Sequence, residues 1–368
     1  MVPPQFIDSF FKDLPFVVKI IWILATVFFF VLLNLILFLK VVRYRLRKKE
    51  AFLKNKGKEY EVHIVNYLYA CEGCKDVNST QEKLISELKL SLKTSVNRKV
   101  FVHTLLTLKG EVSGSMVDII NQLYRRLGLN KHALSRLRSS KWHVVAIGIR
   151  DLRRFKVLEA QKEVAKCINH PKVEVRRQAY LYFINLFGFK GLDFLDHLKI
   201  SISVWDRIGI LGALQEMKTQ EVPDTRKWLR SQNSYVVLLA LDLVRGYNLR
   251  ENQEELLQLI QHQNSKVRLK TIHVLNHLYI TEAKELLINA YETLTVKEQI
   301  AVFELLENMG AIEEESFVLK HITSHIFEIK VLALKILKQI NTPKFLGVKN
   351  EMSRLGNFKL IDFLEKIP

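Results

Sequence analysis

The sequence predicts an all-α protein, in which a single N-terminal transmembrane helix precedes an α-solenoid of short helical hairpins. Three observations predict this fold class. The 368 residues include only 14 Gly and 7 Pro, too few for the tight turns of a sheet-rich fold. An uncharged apolar run covers residues 20–39. Further along the chain, a helical segment recurs about every 31 residues, and a fixed period of this size marks a repeat architecture.

Residues 20–39 are predicted to cross a membrane as one helix. The run has only Thr26 and Asn34 as polar interruptions. At about 1.5 Å per residue, a 20-residue helix covers about 30 Å, the hydrocarbon thickness of a bilayer. A cleaved signal peptide is the alternative, but its apolar region is shorter and ends in small residues. Here the run ends in Leu39-Lys40, so we expect a retained anchor.

The charges on the two sides of this run predict its orientation. Residues 40–58 contain nine basic residues against Glu50 alone, whereas two lysines and two aspartates balance before the run. The positive-inside rule then places the N-terminus outside and the C-terminal solenoid in the cytoplasm, as a single-pass protein of the inner (cytoplasmic) membrane. The basic segment is expected to contact anionic lipid headgroups. The expected lipid contacts are Arg43, Arg45, Arg47, Lys48 and Lys49.

The cysteines indicate a reducing compartment. Cys71, Cys74 and Cys167 are odd in number and too few for a disulfide framework. Cys71 and Cys74 form a CxxC motif, but a zinc site needs a second ligand pair, and His63 supplies at most a third ligand. Two ordinary cysteines are the favoured interpretation, with a redox or metal role left open.

The repeats are clearest at residues 169–186, where the turn Asn169-His170-Pro171 precedes a helix with an apolar anchor at Val175 and a small residue, Ala179, four positions later. The other copies align on the same pattern. The further predicted anchors are Trp142, Trp205, Val236, Val267, Lys297 and Ile329, followed four residues later by Ala146, Gly209, Ala240, Thr271, Ala301 and Ala333. Glu251–His262 is predicted as the first helix of a repeat, and Thr295–Glu298 and Ser79–Glu82 are capping-box patterns that predict helix starts.

The segment from Asn169 to Leu186 resembles the second helix of a HEAT repeat, and the period resembles the short HEAT-like class shared with bilin lyases. The resemblance covers about Arg138 to the C-terminus and extends weakly back to Ser79. Asn169 and Asn264 depart from it, since HEAT repeats usually carry an acidic residue there. The resemblance implies a bacterial scaffold protein, and membrane proteins of similar layout are associated with glycosyltransferases of surface-polysaccharide systems.

These patterns divide the chain into five predicted segments. They are a short external N-terminus (1–15), a transmembrane helix (16–39), a basic juxtamembrane linker or helix (40–76), divergent N-terminal helical repeats or a cap (77–137) and the HEAT-like array (138–368).

The sequence carries no recognisable catalytic motif. It lacks HExxH, GxSxG, GxGxxG and a phosphate-binding glycine loop. His273 with His277, and His321 with His325, have the i,i+4 spacing of metal ligands, but solvent-exposed polar residues are the favoured interpretation. We therefore expect no enzyme, and no catalytic, cofactor-binding or metal-binding residues.

A basic cluster lies in residues 125–156, with ten basic residues against Asp151 alone. A solvated basic face is the plain interpretation, and a docking surface for anionic lipid or an acidic protein is the functional one. Nucleic acid is disfavoured, because a membrane-tethered array already lies near acidic lipid. The candidate docking residues are Arg125, Arg126, Arg136, Arg138, Arg153 and Arg154.

The leading hypothesis is a membrane-tethered, non-enzymatic scaffold whose cytoplasmic solenoid binds a protein partner at the inner membrane. One alternative is a nucleic-acid-binding HEAT-like array, which would need a continuous basic groove. The other is a lyase or cofactor-binding protein, which would need a pocket with converging polar groups.

The predicted orientation can be tested with a membrane-impermeant thiol reagent on intact cells. Because the basic flank follows the apolar run, Cys71 and Cys74 should be modified only after the membrane is permeabilised. Efficient labelling of either cysteine in intact cells would reverse the topology.

Overall fold

The computed structural model describes residues 15–70, 79–217 and 222–354. These residues form helices joined by turns, and no strand occurs among them. The chain divides into two compact units, residues 1–130 and residues 131–368. The all-helical class predicted from the sequence is confirmed for the described residues.

Unit 1 contains a very long helix followed by shorter helices. These are α1 (Phe16–Tyr69), α2 (Ser79–Ser91), α3 (Ser95–Glu111) and α4 (Ser115–Arg126). The next helix, α5 (Leu129–Arg136), begins at the end of unit 1 and continues into unit 2. The predicted juxtamembrane segment is helical as far as Tyr69, as a direct continuation of the apolar segment.

Helix α1 has two chemically different parts. Its apolar part has a mean hydropathy of 2.8 and no buried residue, and by length and composition it can cross a membrane. Further along, Tyr60, Ile64, Tyr67 and Leu68 are buried, with the spacing of one helix face. The ring of Tyr60 packs edge-on against Phe101 of α3, with ring centroids 5.2 Å apart. The same helix is therefore exposed at one end and part of a packed core at the other.

Unit 2 is a stack of two-element repeats. Its helices are α6 (Trp142–Arg154), α7 (Gln161–Ala165), α8 (Val173–Phe187), α9 (Val204–Gln215), α10 (Arg226–Leu229), α11 (Ser234–Tyr247), α12 (Gln253–Gln258), α13 (Ser265–His277), α14 (Ala283–Ala290), α15 (Val296–Met309), α16 (Glu315–His321), α17 (Phe327–Ile340) and α18 (Thr342–Arg354). The long helices α6, α8, α9, α11, α13, α15 and α17 are called the second helices below. Each second helix packs against the next one along the chain.

The first elements of the repeats are short and irregular. In one repeat a 3₁₀ helix, Gly188–His197, takes the place of an α-helix. The predicted first helix, Glu251–His262, consists of α12 between the 3₁₀ turns Arg250–Asn252 and Leu259–Gln261. The second helices therefore supply most of the regular structure in unit 2.

The second helices start at a very regular period. Their first residues are 31, 31, 30, 31, 31 and 31 positions apart. In this frame the third residue of a second helix is the anchor, and Val175, Val236, Val267 and Ile329 are buried there as predicted. A repeat architecture is thus visible within the chain itself.

Three predicted anchors are wrong. Trp142 is 40% exposed, Trp205 is 75% exposed, and Lys297 is exposed as well. The third helix residue is instead the partly buried Val144 in α6, and the buried acids Asp206 and Glu298 in α9 and α15. The apolar pattern does not identify the anchor in α9 and α15, because the anchor residue there is a carboxylate.

Both buried acids cap their own helix and pair with the preceding repeat. Asp206 accepts a hydrogen bond from the Ser203 hydroxyl (2.6 Å) and from Arg177 Nε of α8 (2.6 Å). Glu298 accepts from the Thr295 backbone N–H (2.7 Å), which confirms that capping box, and lies 3.0 Å from Arg268 Nε of α13. These partners compensate the desolvation of a carboxylate in the core.

The seventh residue of each second helix is the close-packing position. Its occupants are Gly148, Ala179, Ile210, Ala240, Thr271, Val302 and Ala333, and all are buried. A Cβ atom on Gly148 would lie 2.9 Å from the Ala133 carbonyl oxygen of α5, so only glycine fits there. Gly209, predicted as a tight contact, is open instead, with nothing within 4 Å of a Cβ.

An arginine at the fourth helix residue closes the turn before the helix. Arg98, Arg176 and Arg268 each donate from Nη1 to the carbonyls six and five residues earlier. Arg98 lies on α3 in unit 1, so the α2–α3 hairpin uses the same device as the repeats of unit 2. The extension of the repeats back to Ser79 stays a prediction.

Substitution at the seventh position should unfold the array locally. Ala179→Asp and Ala240→Asp each place a carboxylate in a fully buried site without a cation, at a cost of several kcal/mol. Thermal melts of the full-length protein should show a large loss of stability for both variants. Gly209→Asp is the matched control and should melt nearly as the parent does, and a reversed ranking would contradict the structural frame.

Candidate docking surfaces of the helical repeats

The predicted basic cluster is divided between the two units. Arg125 and Arg126 lie exposed in the last turn of α4, in unit 1. Arg136, Arg138, Arg153 and Arg154 belong to unit 2. The six residues are therefore described as two groups.

Arg136, a predicted docking residue, forms an ion pair within the fold. Its Nη1 donates to Asp151 Oδ2 at 2.8 Å, joining α5 to α6. The Asp151 side chain is only 3% exposed, and Arg150 Nε lies 3.7 Å from its other oxygen. Burial raises the pKa of Asp151, while the charges of Arg136, Arg150 and Arg154 oppose that rise. Arg136 therefore opposes the rise in the pKa of Asp151 that burial causes.

Arg153 is also partly used inside the fold. It is half-buried, and its Nη1 donates to Asn185 Oδ1 of α8 at 3.2 Å. Burial lowers the pKa of Arg153, and the neighbouring Arg154 and Arg150 lower it further. Arg138 and Arg154 are exposed. Of these four residues, Arg138 and Arg154 are thus the most exposed, and a docking role for the group stays a prediction.

The predicted lipid contacts surround α1 directly after its apolar part. The side chains of Arg43, Arg45, Arg47, Lys48 and Lys49 are all exposed. Five basic residues within two helical turns point in several directions around the axis. Such a ring can meet headgroups whichever way the helix is rotated.

A groove of about 720 Å³ opens beside the turns that precede α11 and α13. Arg230 Nη2 donates to Glu255 Oε1 at 2.6 Å, and Asn264 N–H donates to His262 Nδ1 at 2.9 Å. These polar groups bond to each other and stabilise the two turns. The remaining lining is Leu229, Ser231, Gln232, Ser234, Gln258, Leu259, Gln261 and Gln263.

An apolar face on α9 was missed by the sequence analysis. Val204, Trp205 and Ile208 are 59%, 75% and 54% exposed, whereas most large apolar residues of the second helices are buried. The apolar pattern predicts a buried Trp205, because Trp205 is the large apolar residue next to the true anchor, Asp206. Amphipathic periodicity alone does not distinguish adjacent positions when the buried one is charged.

The candidate metal ligands are not brought together. Cys71 and Cys74 lie outside the described residues, and Cys167 is buried, which raises the pKa of its thiol. His277 Nε2 lies 3.0 Å from Asn248 Oδ1, and His321 Nδ1 lies 2.9 Å from the Phe317 carbonyl oxygen. Within residues 15–70, 79–217 and 222–354, no three His, Cys, Asp or Glu side chains are placed to hold a metal ion.

Comparison with known proteins gives only distant structural likenesses. The sequence matches no protein-family model and no curated protein sequence. Among solved structures it is similar to an engineered protein from a structural genomics consortium, at 14% identity and a TM-score of 0.38, covering 82% of this chain and 97% of that one. It is also similar to human deoxyhypusine hydroxylase in complex with glycerol, at 13% identity and a TM-score of 0.29, covering 76% and 96%.

A further likeness is to the complex of CpcE and CpcF of phycocyanin lyase from Nostoc, at 12% identity and a TM-score of 0.24, covering 79% of this chain and 96% of that one. All three TM-scores are below 0.5. The repeat architecture is therefore assigned from the helix spacing and packing within this chain.

The structural role of Arg136 leads to a prediction with a defined pH dependence. Arg136→Met should destabilise unit 2 by about 3 kcal/mol at neutral pH, because Asp151 loses its principal cation. Without Arg136 the folded-state pKa of Asp151 rises further, so the folded protein binds a proton more tightly than the unfolded chain does. The loss should shrink as the pH falls through that raised pKa, and thermal melts between pH 4 and pH 8 measure it. The exposed Arg138→Met is the control, and equal, pH-independent losses in both variants would contradict the assignment.

Proposed function

We propose that this protein is a membrane-tethered, non-enzymatic scaffold, in which α1 anchors the chain and the helical repeats bind a protein partner beside the membrane. The observation that carries this proposal is the continuity of α1. An apolar helix that is exposed on every side calls for a bilayer around it. The same helix enters the core of unit 1 through Tyr60 and Ile64.

The basic residues after the apolar part support a defined orientation. Under the positive-inside rule, a cytoplasmic location of the repeats is favoured by Arg43, Arg45, Arg47, Lys48 and Lys49. They also supply favourable contacts with anionic headgroups, each of about 1 kcal/mol. The tether in this proposal has two components, an apolar span and a charged collar.

The helix also sets a distance between the membrane and the core of unit 1. The helix surface is exposed up to Phe52, and Tyr60 is the first fully buried residue of α1. From Lys40 to Tyr60 a continuous helix rises about 30 Å at 1.5 Å per residue. A helix of this length leaves room for a partner between the headgroups and the core of unit 1.

A scaffold role is favoured over the two alternatives by the way polar groups are used. In unit 2 many arginines pair with carboxylates or turn carbonyls, as Arg176, Arg177 and Arg268 do. This use of charge does not favour a continuous phosphate-binding groove. The polar groove at Arg230 and Glu255 holds its own turns together, which does not favour a reaction site.

Membrane extraction tests the tether. The full-length protein should stay in the membrane pellet after alkaline carbonate treatment, and Leu32→Arg combined with Ile36→Arg should release it. Each arginine at the centre of a spanning helix costs about 2.5 to 3.5 kcal/mol. Val62→Arg is the matched control, because Val62 is 59% exposed on the same helix beyond the apolar part. Release of the parent protein, or retention of the double variant, would refute the proposed anchor.

A further inference from the structure

Asn34 places a polar carboxamide inside the proposed membrane span of α1. It lies five residues before Leu39, so about 8 Å of helix separates it from the basic end of the apolar run. One amide hydrogen is used within the helix, because Asn34 Nδ2 donates to the Phe30 carbonyl oxygen at 2.9 Å. Within the part of the chain that the structure describes, no group donates to Asn34 Oδ1. The exposed carboxamide therefore keeps one donor and its acceptor for a partner.

Lipid hydrocarbon cannot supply that partner. A polar group without a hydrogen bond is costly in an apolar medium, and polar residues of membrane helices meet polar groups on neighbouring helices. Thr26, the other polar residue of the run, differs in this respect. Its hydroxyl donates its only hydrogen to the Trp22 carbonyl oxygen of the same helix at 2.7 Å. Asn34 is therefore the better candidate for a contact between helices.

The residues around Asn34 follow the pattern of a two-stranded coiled coil. With Asn34 at position a of a heptad, the other a positions are β-branched and the d positions are large and apolar. The other a positions are Ile20, Val27 and Val41, and the d positions are Ile23, Phe30, Leu37 and Tyr44. All seven of these side chains are exposed. In parallel coiled coils, β-branched residues at a favour two strands, and a single Asn at a specifies the register and the number of strands.

The pattern belongs to this face of α1 and not to its neighbours. A frame shifted by one residue places Phe28 and Leu35 at a, or Leu33 and Lys40. β-branched side chains have little rotamer freedom to lose when they pack. Because packing and hydrogen bonds drive the association of helices in a membrane, the face that carries Asn34 is the one suited to it.

We propose that α1 pairs with the α1 helix of a second copy of this chain, through a parallel interface in which the two Asn34 side chains bond to each other. Each carboxamide donates to the carbonyl oxygen of the other, and the a and d residues pack on both sides of that contact. A residue close to a two-fold axis meets its own copy. This inference rests on the proposed membrane anchor and adds a partner for the lipid-exposed part of α1.

A second copy matches this face by its orientation and its chemistry. Two copies carry the same basic flank, so they insert in the same direction and place Asn34 at the same depth. The carboxamide is self-complementary, since it contains both a donor and an acceptor. The helix of a different membrane protein would need a polar residue at the same depth, and pairing with such a helix is an outcome that the test must separate.

Site-specific photocrosslinking in native membranes provides the first test. A photoreactive residue replaces Leu37 in the full-length protein, and two differently tagged copies are expressed together. The control replaces Leu32, which lies on the opposite side of the helix and is 42% exposed. We expect an adduct at position 37 that carries both tags, and little adduct at position 32.

The crosslinking outcomes separate the inference from the proposed function. Adducts at position 37 with another membrane protein alone overturn the second copy as the partner, and equal adducts at 32 and 37 overturn the Asn34 face. Lipid adducts alone at both positions overturn pairing and leave the anchor in place, provided that alkaline carbonate does not release the protein. Release by carbonate contradicts the anchor and the inference together.

Energy transfer between copies provides the second test. Full-length protein labelled with donor or acceptor is reconstituted in vesicles, and pairing is followed as the protein-to-lipid ratio falls. About a third of the lipid is anionic, because the basic flanks of two copies repel each other. Asn34→Leu should weaken pairing about fivefold or more, because the hydrogen bond between the helices is lost. Asn34→Gln keeps the carboxamide and should retain most of the pairing.

Thr26→Leu is the matched control. It removes the other polar side chain of the apolar run, whose hydroxyl is already bonded within its own helix, so it should pair as the parent protein does. Asn34→Leu leaves the span fully apolar around that site and should stay in the membrane pellet. A parent protein that does not pair, or equal pairing of Asn34→Leu and the parent, would overturn the proposal.

Discussion

Side-by-side packing of the second helices is the interaction on which unit 2 depends. At the seventh residue of each helix a buried side chain, such as Ala179 or Ala240, faces the neighbouring elements. Gly148 shows how tight this contact becomes, since even a Cβ atom would approach a carbonyl oxygen of α5. A repeat that cannot bury its own apolar face gains stability from its neighbours in this way. The helix starts lie 30 or 31 residues apart, and the buried residue keeps the same place within each helix.

Charged groups reinforce the same contacts. Asp206 and Glu298 each cap their own helix and accept an arginine from the repeat before. Arg176 and Arg268 turn back to the carbonyls of the preceding turn. A buried carboxylate with such partners avoids the penalty of an uncompensated charge. Many basic side chains of the repeats therefore make ion pairs or hydrogen bonds within the fold. Arg136 and Arg153 are two of them, because they bond to Asp151 and Asn185.

Exceptions to the packing pattern decide which large apolar side chains of the repeats stay exposed. Helix α9 follows a 3₁₀ element rather than a regular helix, and it exposes the large apolar side chains of Trp205 and Ile208. In the proposed function, α1 tethers unit 1 to the membrane through one continuous helix. A tether that is also a core helix transmits its position to unit 1, because Tyr60 and Ile64 are packed within that unit.

The sequence by itself determined the helical class, the long apolar segment, the approximate period and the capping box at Thr295, since these depend on composition, local spacing and short-range hydrogen bonds. It also identified Val175, Ala179, Val236 and Ala240 as core positions, because their apolar pattern is unambiguous. Only the tertiary structure decided the frame at Trp142, Trp205 and Lys297. At Trp205 and Lys297 the buried neighbour is a carboxylate, Asp206 or Glu298, and an arginine of the preceding repeat pairs with it. At Trp142 the more buried residue is Val144. Long-range contacts also pair Arg136 with the buried Asp151, and Trp205 stays exposed beside Asp206, and neither outcome can be obtained from the periodicity of one helix.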